Sequence, residues 1–97
     1  MPDAVHELLV TEVGLAKLGA RQISAEEAAQ VPHNRHAIVC NPRAGASPGR
    51  RRLLIGATDG GRVLTLVIEQ TVEPTSWLIV TGWNATAAER TIMESNR

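Results

Sequence analysis

Phenylalanine and tyrosine are absent from this 97-residue chain, and tryptophan occurs only twice, at Trp77 and Trp83. A core must therefore be built from Leu, Val, Ile and Ala. Cysteine occurs once, at Cys40, which excludes an internal disulfide. Cys40 lies in an apolar run and reads as a small buried hydrophobe rather than a nucleophile. An excess of either charge is also missing, since ten Lys and Arg balance ten Asp and Glu. Zero net charge argues against holding nucleic acid through bulk charge. No stretch approaches the roughly 18 apolar residues that would span a membrane. No basic flank leads into an apolar run at the N-terminus, so no secretion signal is expected and the expected compartment is the cytoplasm.

Signatures of common enzymes are missing too. There is no phosphate loop ending in Gly-Lys-Ser/Thr and no dinucleotide fingerprint. Ser24, Ser47 and Ser76 lack the context of a nucleophile elbow. His33 and His36 stand three apart with no Cys pair or acidic partner at a ligand spacing, so no metal site is expected. No cofactor is implied.

What is present is a single-domain pattern over residues 1–97, without repeats or low-complexity tracts. Val5–Val10 reads as a first strand. Leu15 and Leu18 give Glu12–Ala20 a narrow apolar stripe and predict a short helix, weakened by Gly14 and Gly19. Ser24 and Glu27 form a capping box that opens a second helix over Ala25–Gln30, and Pro32 ends it. The short link Arg21-Gln22-Ile23 predicts a helical hairpin. His36–Cys40 is β-prone, and Asn41–Gly49 is a Pro- and Gly-rich loop. Arg52–Thr58 reads as a strand and Asp59-Gly60-Gly61 as a hairpin turn. Arg62–Gln70 is apolar on both faces and reads as a central strand. Trp77–Trp83 is the last strand, with Trp77, Ile79, Thr81 and Trp83 expected on one face. Asn84 is expected to cap a helix from Ala85 to about Glu94 that turns Ala88, Ile92 and Met93 to the sheet. The predicted class is α+β: an antiparallel sheet of three to four strands, an N-terminal helical hairpin and a C-terminal helix.

The densest chemistry lies in Arg50–Arg62, where Arg50, Arg51, Arg52 and Arg62 bracket a hairpin. From His33 to Arg62 there are six Arg against one Asp. Guanidinium is always charged and grips phosphate in a bidentate way. It can also stabilise charge that develops during phosphoryl transfer. RNA cleavage through the 2′-hydroxyl needs little beyond in-line positioning, a base, an acid and a cation. Arg52, Arg62 and Arg90 are the candidate phosphate ligands, and Glu69 or His36 the candidate proton carriers. Arg50, Arg51, His36 and Trp83 are candidate RNA contacts, Trp83 by stacking on a base. The plainer reading makes these arginines solvated guards of sheet edges, Glu69 the ion-pair partner of a neighbouring Arg, and the tryptophans core anchors.

Four segments, in order, carry a family resemblance. They are Lys17-Leu18 through Ile23-Ser24-Ala25-Glu26-Glu27-Ala28, Arg52-Leu53-Leu54-Ile55-Gly56, Gly61-Arg62-Val63-Leu64, and Ala85-Thr86-Ala87-Ala88-Glu89-Arg90. Together they resemble the BrnT-type toxins of bacterial toxin–antitoxin pairs and, more loosely, the RelE/ParE-like toxin fold. The resemblance implies a metal-independent ribonuclease acting on mRNA, ribosome-associated or free. It also implies neutralisation by a cognate antitoxin, as a homodimer or a toxin–antitoxin hetero-oligomer, with no membrane partner. The family commonly has Arg after Ile-Gly, where this chain has Ala57. It also has Arg near the end of the last strand, where this chain has Trp83. Ala57 then reads as an inactivating replacement at a catalytic position. The alternative is a toxin-fold binding module without nuclease activity, and a third reading is a plain structural or small-ligand domain.

Overall fold

The run with both faces apolar takes the middle of the sheet. In the computed structural model, which describes residues 4–40 and 51–95, the elements follow in chain order. They are β1 (Glu7–Val10), α1 (Glu12–Gly19), α2 (Ala25–Gln30), a 3-10 turn (Val31–His33), β2 (His36–Cys40), β3 (Arg51–Ala57), β4 (Val63–Gln70), β5 (Ser76–Asn84) and α3 (Ala87–Ser95). The strand order is β1-β5-β4-β3-β2. β2, β3, β4 and β5 pair antiparallel, while β1 lies parallel to β5, with Glu7 beside Ser76 and Val10 beside Ile79. The α+β class holds. The sheet, however, has five strands and is mixed, not three to four antiparallel ones. The added strand is β1, which returns to the sheet at its far edge instead of standing apart.

The expected helical hairpin is also replaced. α1 packs on β5, while α2 finds its neighbours at β1 and the 3-10 turn. α1 buries Gly14 and Leu18 but leaves Leu15, the other half of its expected stripe, exposed, and α2 buries Ala28, so each helix seats on its own neighbours. Thr11 caps α1 by accepting from Gly14 N–H (3.0 Å). Ser24 and Glu27 form the predicted capping box of α2. Gln22, with φ of 60°, turns the chain between the two helices.

The sheet is covered on both faces. Val5, Leu18, Ile23, Ala28, Val31, Leu54, Leu64, Leu66, Ile68, Trp77 and Ile79 form the larger core beneath α1 and α2. Leu53, Ile55, Val63, Val67 and Met93 form the smaller one beneath α3. α3 lies over β3 and β2. Its start differs from expectation: Thr86, not Asn84, caps it, and Asn84 is the last residue of β5. Of the three residues expected to face the sheet, Met93 is buried, whereas Ala88 and Ile92 are exposed.

A register shift corrects one more expectation. Ile68 pairs with Ile79 but Val67 pairs with Thr81, so Val80 is an extra residue in β5. A bulge of this kind exchanges the faces beyond it. Trp77 therefore belongs to the larger core and Trp83 packs against the smaller one, on the opposite face of the sheet. The hairpin turn is as read: Gly61 has φ of 88°, and Thr58 N–H donates to Arg62 O at 2.7 Å.

Candidate functional site

Arg62 precedes β4, and its guanidinium reaches across the sheet edge to the α1–α2 connection. Nε donates to Asn84 Oδ1 (2.7 Å), and Nη1 donates to Gln22 O (2.8 Å) and to both Glu27 oxygens (3.2 Å each). Nη2 donates to Arg21 O (3.2 Å). The donors expected to grip phosphate thus tie β4 to α2. Glu27 is held below the ordinary carboxylate value, first by the Ser24 N–H and then by the Arg62 guanidinium.

Arg51 and Glu69 face each other across β3 and β4 and form an ion pair at 3.1 Å. Both side chains are partly exposed. Glu69 is the ion-pair partner that the plainer reading foresaw. Arg52 follows on the other face, beside Ile68, and its Nη1 donates to Arg51 O (2.8 Å). Arg52 and Arg62 stand at opposite ends of β4, because Arg52 pairs with Ile68. Six residues of strand separate them by about 20 Å, too far for one phosphate to meet both. The same span separates Glu69 from Ala57, which pairs with Val63.

His36 pairs with Gly56 near the Ala57 end, and its Nδ1–H donates to Asn34 O (2.8 Å). Asn34 in turn donates from Nδ2 to Ala57 O (3.0 Å) and to Asp59 Oδ1 (2.9 Å). Ala57 is half-buried there. Arg90 is exposed on α3. Arg35, one of the six arginines from His33 to Arg62, caps the C-terminal end of α3 by donating to Glu94 O (2.7 Å). A cation suits that end of a helix. Arg43, Arg50, the Asn41–Gly49 segment and the Cys40 side chain lie outside the described residues.

The two tryptophans serve the interior. Trp77 is fully buried and donates from Nε1 to Ala4 O (2.9 Å). Trp83 donates from Nε1 to Glu89 Oε1 (3.0 Å), an oxygen that also accepts from Thr65 Oγ1 (2.9 Å) and Thr86 N–H (2.8 Å). Burial would raise the Glu89 carboxyl, but the bonds from Thr86, Trp83 and Thr65 outweigh it and hold the group below its ordinary value. Glu89 accepts from three residues, Thr65, Trp83 and Thr86, and was not among the expected site residues. Its signal was the Thr86-Ala87-Ala88-Glu89 spacing of a second capping box.

The described candidate catalytic and RNA-binding residues therefore fall into four places: the Arg51–Glu69 pair with Arg52 at one end of the sheet, Arg62 with His36 and Ala57 toward the other, Trp83 against the smaller core beside Glu89, and Arg90 on α3. No protein-family model matches the chain, and no curated protein matches it significantly.

Proposed function

We propose that the protein is a toxin-type binding module that acts through a protein partner, foremost a cognate antitoxin, and does not cut RNA with its arginines. One observation carries this reading: Arg62, the cation at the centre of the expected phosphate site, has its guanidinium engaged by Glu27, Asn84 and the carbonyls of Gln22 and Arg21. A phosphate would have to displace a carboxylate and open the α1–α2 connection. Arg52, at the other end of β4, stands about 20 Å along the strand from Arg62.

The ribonuclease reading keeps one specific support. Ala57, where the resembling toxins have Arg, stands at the end of β3 beside the exposed Asp59–Gly61 turn. An arginine there would add a second cation at the end where the Arg62 guanidinium is already engaged.

Induced expression of the native chain and of Ala57→Arg, with growth and total RNA followed together, decides between the two. The binding-module reading expects intact RNA from both proteins, whether or not growth slows. RNA cleavage by either one sinks it. Cleavage by Ala57→Arg alone would make residue 57 the missing catalytic cation.

A further inference from the structure

β1 is an edge strand, and its sequence does little to guard that edge. Natural edges carry Lys, Pro, bulges or inward charges that block a new strand. Glu-Leu-Leu-Val has neither Lys nor Pro. Its one charge, the exposed Glu7, sits at the first residue of the strand and accepts from Ser76 Oγ of β5 at 2.8 Å. Leu9 and Val10 are 43% and 36% exposed, and Val13 and Leu15 just beyond are exposed as well. This is the longest cluster of exposed large apolar residues along the described chain.

The backbone directions fix how a strand could add. Glu7 N–H donates to Thr75 O, toward β5. Alternation then points Leu9 the same way and turns the N–H and C=O of Leu8 and Val10 outward. Among the described residues, no strand lies on that side. Thr11, with φ of −86° and ψ of 168°, extends the strand before α1 begins.

We infer that this edge pairs with the same edge of a second copy, joining two sheets into one ten-stranded sheet across a two-fold axis. The symmetry requires an antiparallel β1–β1 pair in which each face continues the same face of the partner. Residues whose numbers sum to an even value meet that condition. Only outward-pointing residues can exchange hydrogen bonds, so Leu8 opposite the partner's Val10, and Val10 opposite the partner's Leu8, give two complete hydrogen-bonded pairs. Leu9 then meets the partner's Leu9 as the close, non-hydrogen-bonded pair on the axis. Leu9 stands beside Leu78 of β5, so a row Leu78–Leu9–Leu9–Leu78 would run across the junction. In this register Glu7 meets the partner's Thr11, and His6 lies toward the partner's Glu12. No like charges are opposed. The alternative centred on Leu8 sets Glu7 against the partner's Leu9, which favours the Leu9-centred register.

Sedimentation of the whole protein over a concentration series tests the inference. The expected result is a concentration-dependent dimer. Leu9→Lys, at a site already exposed, sets two ammonium groups face to face and should weaken the dimer roughly tenfold or more. In a Cys40→Ser background, Leu9→Cys should give a disulfide-linked dimer under oxidised glutathione, and Val72→Cys, at the 98% exposed turn, should not. Should Leu9→Lys fail to fold, the cysteine pair decides alone. A monomer at all concentrations, a dimer indifferent to Leu9→Lys, or equal cross-linking through Val72→Cys would overturn it. None of these outcomes depends on whether RNA is cut.

Discussion

Glu89 gathers three elements on one carboxylate: the Thr86 N–H that starts α3, the Trp83 indole of β5 and the Thr65 hydroxyl of β4. Glu89→Ala removes a cap and strands two donors at once. It should cost about 1–3 kcal/mol, read from urea unfolding, with a change in tryptophan emission because Trp83 loses its acceptor. The same contacts give a pH dependence. The folded Glu89 carboxyl lies below its ordinary value of 4.5, so the unfolded state binds more protons in that window. Stability from this group is therefore complete above about pH 4.5 and is lost as pH falls through the folded value. Glu27 shifts the same way. The expected outcome is a melting temperature that drops on acidification below that point, with a shallower drop in Glu89→Gln. An identical acid limb in the variant would remove Glu89 from the account. Individual side-chain roles were the least legible part of the sequence. Ser24 with Glu27 could be read because both partners lie within one helical turn. Arg62 could not, because its acceptors come from residues 21, 22, 27 and 84, which only the finished fold brings together.

Among the elements, local pattern was a good guide wherever one period ran unbroken. β4 was legible as central because both of its faces are apolar, and α2 because its cap and its proline stop bound it closely. The bulge at Val80 was not legible. Alternation from Trp77 to Trp83 looks continuous in sequence, and only pairing with β4 reveals the extra residue that separates the two indoles. β1 was read as a strand but its place was not, because a parallel edge partner leaves no turn signal. The glycines of α1 also look equivalent in sequence and are not. A Cβ on Gly14 would sit 2.6 Å from Ile79 O, a backbone atom, whereas one on Gly19 would meet nothing within 4 Å. Helix propensity therefore decides at Gly19, and close packing decides at Gly14. Gly19→Ala should stabilise the protein by about 0.5–1 kcal/mol. Gly14→Ala should destabilise it by about 1–3 kcal/mol, because α1 must lift from β5. Paired thermal melts would check both, and equal effects of the two substitutions would refute this reading of how α1 is seated.

In the whole molecule, the two sides of the sheet are unequal. The side beneath α1 and α2 holds Leu18, Leu54, Leu64, Leu66, Ile68 and Trp77, all fully buried. The side beneath α3 rests on fewer residues, and α3 contributes only Met93 to the buried set. Deleting side-chain volume should thus have different consequences on the two sides. Leu66→Ala, in the middle of β4, leaves a cavity that neighbouring strands cannot close, and should cost about 3–5 kcal/mol of global stability. Met93→Ala should cost about 2 kcal/mol, because its 8% exposed site lies near solvent and can relax. Its main effect should be local. α3 would then detach while the sheet stays paired, since the β3–β4–β5 ladder does not run through it. Native-state hydrogen exchange separates these outcomes. In Met93→Ala, amides of α3 should exchange much faster while those of β4 keep nearly their original protection. In Leu66→Ala, all the slow amides should accelerate together. Should Met93→Ala speed β4 as much as α3, the smaller core would be an equal partner in one cooperative unit, and the protein would unfold from both faces at once.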